Sequence, residues 1–418
     1  MAIILLEPRQ SSTSKPTRAR KKSPVQIAFF IVSLLLIYHF WTRPGNFTSY
    51  VETWNSNGGY IASEESMPQV QSHLHNPPVT ISKERYPYIP YDFLLDCGLA
   101  DKNIIDNDPY VIEPSFVLNT SIAFIKTHKT GSSTIANMVW RWVHSRDLKR
   151  MVPRVGKNLG WPNTFPGKMR FFGNRKFDAI YNHAVYNKAR YDFFLRQKGA
   201  TFTILREPMS RTVSAVNYYR DKTTYSFRGW PALLHRYRNK DNIMRTYDFY
   251  THNGMAFDLG WYEQHNLSIA YDYDVKEIQD FIDELDKNID VVMIMERLDE
   301  SLLLLRDKIP GLSISELVYR KSNTNGNSTH NEDSSLSKVY PSKEQMEELT
   351  EIMLVDRMIY DHFNARLDRE WKAKVRESPH IQQLKDGLVC LQKKVDDNFG
   401  NEQVISKAMN DALSEWIL

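Results

Sequence analysis

The chain has 418 residues, which is enough for one large domain or two ordinary ones. Its apolar content of 42% and its charged content of 25% are typical of a folded protein and exclude a wholly disordered one. A net charge of only +4 gives no reason to expect a nucleic-acid partner.

A basic segment, residues 1–23, is followed by an apolar run over residues 24–42. About 18 to 20 apolar residues can span a bilayer, and no small-residue cleavage pattern follows this run. These features favour a membrane anchor over the competing interpretation, a cleaved signal peptide. Basic residues ahead of a span keep the N-terminus in the cytosol. We therefore expect a cytosolic tail, a transmembrane signal-anchor and a single-pass type II protein whose bulk lies in the lumen.

The residues after the apolar run divide into a stem and a lumenal domain. Residues 43–86 are polar and lack a sustained period, so they predict a flexible stem, and the folded domain is expected over residues 87–418. Both cysteines, Cys97 and Cys390, can pair in an oxidising compartment or stay as two free thiols. A lumenal address agrees with four N-glycosylation sequons, at Asn46, Asn119, Asn266 and Asn327.

Within the expected domain, short apolar segments alternate with helical patterns. Strands are predicted over residues 121–126, 177–182, 201–205 and 290–295. Helices are predicted over residues 132–144, 208–219 and 298–308. Such alternation predicts the α/β class, a parallel sheet flanked by helices, whose ligands bind outside the carboxyl ends of the strands.

The first predicted strand ends in a small polar turn that carries a lysine. Free backbone N–H groups and the helix dipole favour an anion where such a turn enters a helix. The nucleotide P-loop has its lysine after the last glycine, whereas the lysine here precedes the glycine, so the spacing predicts an anion site that needs no metal. A plain capped helix, with Ser132 as N-cap and the lysine solvated, is the alternative. The candidate anion-binding residues are Lys129, Thr130, Gly131, Ser132, Ser133 and Thr134.

The third predicted strand ends at Arg206, and Ser214 follows eight residues later, two turns into the next helix. An arginine fork with a hydroxyl beside it can hold a terminal phosphate. The alternative is a helix-capping salt bridge between Arg206 and a nearby acid. Because both motifs follow strands of one predicted parallel sheet, we expect them at the same edge.

Together the two motifs resemble the Golgi carbohydrate sulfotransferases, whose donor is 3′-phosphoadenosine 5′-phosphosulfate. The strongest resemblance is to the galactose 3-O-sulfotransferases, which include galactosylceramide sulfotransferase. It implies a P-loop-like sulfotransferase fold, a Golgi membrane location, and a galactose-containing glycolipid or glycan as acceptor at its 3-hydroxyl. The resemblance rests on residues 124–134, 182–183, 203–208, 253–260 and 296–302.

The resemblance also implies roles for individual residues. Residues 129–134 would bind the 5′-phosphosulfate, and Arg206 with Ser214 would bind the 3′-phosphate, without a metal ion. His183 ends the second predicted strand and is the expected general base, because imidazole titrates near neutral pH. Lys129 would stabilise the charge that builds on the departing oxygen.

Two further histidines and two aromatic residues complete the candidate set. His128, inside the turn, is expected to orient the lysine or to pack, and His144 is expected to be structural. Trp161 and Tyr186 are candidate sugar-stacking faces, and the alternative is that they pack in the core, as aromatic residues more often do. The family tends to carry a basic residue soon after the second predicted strand, and this chain has none there, so the departure concerns acceptor recognition.

Three other functions are compatible with these patterns. Within the same class, the acceptor can be another sugar or a glycosaminoglycan position. A nucleotide-dependent kinase can use Glu296 as its metal-binding acid, although the position of Lys129 counts against it. An inactive membrane-anchored glycan-binding protein is the third, and the intact candidate residues count against that one. The sequence does not indicate an oligomeric state.

Overall fold

The structure is a computed structural model that describes residues 89–107, 120–153, 158–164, 175–220, 229–238, 246–264, 274–319 and 338–399. The predicted tail, membrane span and stem lie outside these residues, as do the four sequon asparagines. Among the helices that are described, none is long and apolar enough to cross a bilayer.

Parallel strands form the central sheet, as the alternating pattern predicts. Their order across the sheet is β2-β3-β1-β4-β5. Ile122 in the central strand lies opposite Ala179 on one side and Ala200 on the other. The strands are β1 (Ser121–Ile125), β2 (Arg150–Met151), β3 (Ala179–Ile180), β4 (Gly199–Leu205) and β5 (Val291–Ile294).

The middle of the sheet is buried on both faces. Every residue of β1 and of β5 is buried, because these strands are continuous apolar runs of the kind that parallel sheets enclose. Phe124 and Phe202 stack across the β1–β4 pair with ring centroids 5.2 Å apart. Of the strand predicted over residues 177–182, Ala179–Ile180 forms β3, and Phe177 forms an isolated bridge with Leu195. The sequence did not predict β2, because two residues are too few to show a period.

Helices connect and cover the strands. The α/β class is therefore confirmed, and α3 and α5 start within one residue of the predicted positions. In chain order the helices are α1 (Tyr91–Asp96), α2 (Lys102–Asn107), α3 (Ser132–Ser145), α4 (Lys188–Phe194), α5 (Pro208–Tyr219), α6 (Trp230–Arg238), α7 (Thr246–Thr251), α8 (Gly254–Asp258), α9 (Trp261–Gln264), α10 (Val275–Asn288), α11 (Leu298–Lys308), α12 (Ile314–Leu317), α13 (Lys343–Ile352), α14 (Leu354–Glu377) and α15 (His380–Phe399).

A disulfide joins the two ends of the described chain. The pairing of Cys97 with Cys390, which the sequence left open, is present in the structure with the Cα atoms 5.6 Å apart. It links the C-terminal end of α1 to α15, and Leu99 packs so closely over Gly387 of α15 that a Cβ there would lie 2.5 Å from the leucine Cδ2. The helices at the two ends are thus fixed to each other covalently and by packing.

Candidate active site

The turn between β1 and α3, residues 126–131, lies at the carboxyl edge of the sheet. Lys129 and Gly131 both adopt left-handed backbone angles, with φ of 66° and 82°. The backbone angle at Gly131 favours glycine, and a Cβ there would lie 2.5 Å from the Met295 sulfur, so the methionine side chain would have to move. Successive N–H groups in such a turn, together with the first N–H groups of α3, form a concave anion-binding surface.

Hydroxyl groups inside the turn stabilise its shape. The Thr127 hydroxyl donates to the Ile204 carbonyl of β4 at 2.6 Å and hydrogen-bonds the Thr130 hydroxyl at 2.7 Å. The Ser132 hydroxyl donates to the Thr127 carbonyl. Ser132 is the first helical residue, so the N-cap position falls on Gly131, and the capped-helix alternative with Ser132 as N-cap is wrong. These hydroxyls face inward and hold the turn in the shape that an anion-binding loop needs.

The remaining two residues of the candidate loop differ in exposure. Ser133 is half-buried and Thr134 is buried, and the Thr134 N–H donates to the Gly131 carbonyl in the first turn of α3. The loop thus alternates between buried and accessible positions. Lys129, Gly131 and Ser133 are the accessible ones.

Arg206 lies beside this loop, at the end of β4. Its Nη1 atom lies 3.4 Å from the Lys129 carbonyl, so the two predicted anion motifs meet. Among the ion pairs of the described residues none involves Arg206, and Glu207 caps α5 instead by accepting from the N–H groups of Met209 and Ser210 at 2.8 and 2.7 Å. Ser214 is half-buried on α5, two turns further on. The capping salt bridge proposed as the alternative role of Arg206 is therefore not found.

His183 follows β3 and points its Nδ1 atom at the sheet. Nδ1 lies 3.0 Å from the Lys126 carbonyl, which can only accept, so Nδ1 carries the proton and Nε2 keeps a free electron pair. Burial, the adjacent His128 and Lys126 hold the pKa of His183 well below its usual range. The ring is therefore neutral at physiological pH, as a general base must be.

His128 lies against His183 and contacts a carboxylate that the sequence did not single out. The two imidazole rings stack 3.9 Å apart at an interplanar angle of 13°. Nδ1 of His128 lies 2.9 Å from Oδ1 of Asp258, a fully buried residue at the end of α8. His128 thus packs, as expected, but it packs on the candidate base. The only pointer to Asp258 was its place in the block 253–260, because residues 130 positions apart share no spacing signal.

Aromatic residues surround the two histidines. Trp161 and Tyr186 are only 6% and 7% exposed, so neither offers a face to a sugar and that prediction is wrong. Trp161 instead donates its Nε1–H to Asp258 at 2.8 Å. Tyr218 on α5 is 41% exposed, and the Lys129 ammonium lies 3.9 Å from its ring centroid. The accessible aromatic face beside the loop is therefore that of Tyr218.

Two other candidate residues have structural contacts. Glu296 accepts from the Glu207 N–H at 3.0 Å and from the Tyr360 hydroxyl at 3.2 Å, so its carboxylate holds the start of α5. His144 stacks on Trp140 in α3 with ring centroids 5.0 Å apart. Within the described ranges no group of three or more His, Cys, Asp or Glu side chains could hold a metal ion.

Comparison with known proteins shows the class of protein to which the chain belongs. The model of the galactose-3-O-sulfotransferase family matches residues 106–387, more than half of the chain. The chain therefore belongs to the galactose-3-O-sulfotransferase family.

Several named proteins of this family are similar to the chain. Galactose-3-O-sulfotransferase 2 of Homo sapiens is 28% identical over 267 residues, which are 61% of this chain and 62% of that protein. Galactosylceramide sulfotransferase of Mus musculus is 26% identical over 314 residues, 71% of this chain and 68% of that protein. Galactose-3-O-sulfotransferase 3 of Mus musculus is 26% identical over 310 residues. The chain spans a little over 60% of the length of the human and mouse galactose-3-O-sulfotransferase 2.

Proposed function

We propose that this protein transfers a sulfuryl group from 3′-phosphoadenosine 5′-phosphosulfate to a galactose hydroxyl, the 3-hydroxyl, of a glycolipid or glycan. One observation carries the proposal: two anion-binding motifs meet beside a neutral histidine. Arg206 contacts the Lys129 carbonyl, and His183 is fixed to the carbonyl of Lys126 in the same turn. Family membership and the names of the relatives support the same class of reaction.

The residues present fit a donor with two anionic ends. The left-handed turn at Lys129 and Gly131 supplies backbone N–H groups for the 5′ end, and Lys129 supplies a cation. Arg206 and Ser214, on the neighbouring strand and helix, would hold the 3′-phosphate. The donor supplies an activated sulfuryl group, which carries less charge than a phosphoryl group, so a lysine and backbone donors suffice to bind it without a metal ion.

His183 would take the proton of the acceptor hydroxyl. Its Nε2 electron pair is available, and its Nδ1–H stays bonded to the Lys126 carbonyl, which stabilises the imidazolium that forms. Lys129 would stabilise negative charge on the oxygen that leaves sulfur. His183 contacts the turn that carries Lys129, so the base and the cation would act on the same transferred group.

The acceptor side of the proposal rests on Tyr218. Its exposed ring lies next to the Lys129 ammonium, and an aromatic face suits the apolar face of a galactose ring. The proposed cellular setting is a Golgi membrane, with residues 24–42 as a type II signal-anchor, the domain in the lumen, and Asn46, Asn119, Asn266 and Asn327 as glycosylation sites. The sequence patterns support that setting.

The test is sulfate transfer by the purified full-length chain. We expect label to pass from the sulfur-35-labelled donor to a galactoside, with the 3-hydroxyl modified, and not to a glucoside of the same aglycone. Lys129→Ala should lower kcat by about 1000-fold or more, because it removes the transition-state cation. Lys276→Ala, an exposed lysine on α10, is the matched control and should retain full activity.

Three outcomes would contradict the proposal in different ways. Transfer only to other sugars or to glycosaminoglycans would move the acceptor within the class. Binding of a galactoside without transfer would favour the inactive glycan-binding protein. Full activity of Lys129→Ala would remove the assigned role of the loop.

A further inference from the structure

The Asp258 carboxylate accepts hydrogen bonds from three donors. Oδ2 accepts from the His128 backbone N–H at 2.6 Å, and Oδ1 accepts from the Trp161 indole at 2.8 Å. The third comes from Nδ1 of His128, at 2.9 Å. The carboxylate is buried, with 1% of its residue exposed. A buried carboxyl group with donors on both oxygens is held as the acceptor-only anion.

These bonds fix the tautomer of His128. Because the carboxylate accepts from Nδ1, the His128 proton is on Nδ1 and Nε2 has the free electron pair. His183 has the same tautomer, fixed by the Lys126 carbonyl at 3.0 Å. The two rings lie 3.9 Å apart and almost parallel. A neutral imidazole polarised by a carboxylate therefore covers one face of the candidate base.

We propose that Asp258 is a positioning residue for the base. It holds His128 in one tautomer and flat against His183, and the stacked His128 ring in turn holds His183 in the orientation in which it takes the proton of the acceptor. This inference rests on the proposed function. In the step concerned, the acceptor O–H bond breaks and its proton goes to Nε2 of His183. The acceptor oxygen bonds to sulfur, and the bond from sulfur to the donor phosphate oxygen breaks with its electron pair on that oxygen.

The charged groups around the stacked His128 and His183 rings shift the pKa values of this cluster. Burial, Arg211, Lys126 and Lys129 hold the pKa of His128 well below its usual range. Asp258 acts in the opposite direction on the pKa of His183. Burial raises the pKa of Asp258 itself to about 6, so its negative charge is present above that pH and is lost below it. Asp356, Tyr219 and Tyr250 also face this cluster.

The kinetic test compares Asp258→Asn with Asp356→Asn in the full-length chain. Asp356 is an equally buried aspartate near Arg211, but its oxygens accept from the N–H groups of Met255 and Ala256 at the start of α8. We expect Asp258→Asn to lower kcat roughly 100-fold at pH 7.5, with the Kd for 3′-phosphoadenosine 5′-phosphate changed less than about threefold. Asp356→Asn should keep kcat within about threefold.

The pH profile separates positioning from a structural role. The wild-type kcat should rise through the titration of Asp258 at a pH of about 6, and this limb should disappear in Asp258→Asn because the group is gone. Asp356→Asn should keep the limb. The proposal is overturned if Asp258→Asn keeps the limb, or if it loses nucleotide binding and turnover to the same extent.

A second readout does not depend on sulfate transfer. In the chain labelled with nitrogen-15 histidine, side-chain NMR should show His128 as a pure Nδ1–H tautomer, assigned through its loss in His128→Phe. Asp258→Asn should give a mixture of tautomers, while Asp356→Asn should not. A single unchanged tautomer in Asp258→Asn would overturn the inference even if the enzyme is active. Intact tautomer effects without transfer to any acceptor would instead refute the proposed function alone.

Discussion

The two sides of the turn after β1 have opposite characters. Its front, which we define as Lys129, Gly131, Ser133, Arg206 and Ser214, is partly accessible to solvent. Its back, which we define as His128, Trp161, Arg211 and Asp258, is buried. The front has charged groups at strand ends, whereas the back is held by hydrogen bonds between distant parts of the chain.

Two arginines near the N-terminus of α5, Arg206 and Arg211, show the difference between the front and the back. Among the described residues, the hydrogen-bond partner of the Arg206 side chain is the Lys129 carbonyl, at 3.4 Å. Arg211 is fully buried, and its Nε–H donates to the His128 carbonyl at 3.1 Å. Gly254 makes room for its guanidinium, because a Cβ there would lie 2.0 Å from Nη2. Removal of the Arg206 side chain should therefore leave the fold intact, whereas removal of the buried Arg211 side chain should destabilise it.

The largest effect on kcat is expected at His183, which contacts both the turn and the buried His128. His183→Ala should lower kcat by about 100- to 10,000-fold, because the general base is lost, while the melting temperature and nucleotide affinity change little. His144→Gln, which removes a histidine stacked on Trp140, is the control and should leave kcat unchanged. Steady-state kinetics and calorimetry check both. Normal turnover of His183→Ala would assign the base elsewhere.

The two arginines give the next largest contrast. Arg206→Ala should weaken binding of 3′-phosphoadenosine 5′-phosphate about 10- to 100-fold, the value of a charge-assisted phosphate contact, at unchanged stability. Arg211→Ala should instead lower the free energy of unfolding by about 3–5 kcal/mol, because Asp258 and Asp356 would lose a buried counter-charge. Titration calorimetry and urea unfolding measure the two effects. Equal loss of stability in both variants would contradict the division.

A smaller effect is expected from the bond that ties the turn to β4. Thr127→Val removes the hydroxyl that donates to Ile204 and should cost about 1–2 kcal/mol of stability, because a buried carbonyl loses its donor. Thr350→Val, on the exposed face of α13, removes a hydroxyl bond to Met346 and should change stability by less than about 0.5 kcal/mol. Thermal unfolding of both variants decides. Equal values would mean that the turn does not depend on this bond.

The smallest effect concerns Tyr218, the exposed aromatic residue that contacts Lys129. Tyr218→Ala should raise the KM for a galactoside about three- to tenfold, because it removes the aromatic face, while Tyr218→Phe should change it less than twofold. The donor KM should stay within twofold in both. A galactoside KM that is unchanged in Tyr218→Ala would place the acceptor elsewhere.

The front could be predicted from sequence and the back could not. Lys129, Arg206 and His183 each follow a strand, and strand ends of one parallel sheet lie at one edge, so their meeting follows from local patterns. Asp258 and His128 are 130 residues apart, and no periodicity links them. Trp161 has an apolar ring and a polar N–H group, so the sequence is compatible with a sugar-binding face and with a buried donor to Asp258. Only the packing of α8 against the turn decides between them.

The disulfide between Cys97 and Cys390 has a practical consequence for handling the protein. It joins two residues that are 293 positions apart, and the ring that it closes contains the whole sheet. A protease that cuts any one exposed peptide bond inside the ring leaves both pieces covalently attached. A nicked sample would therefore migrate as one band without reductant and as two bands with it, so purity should be judged on reducing gels.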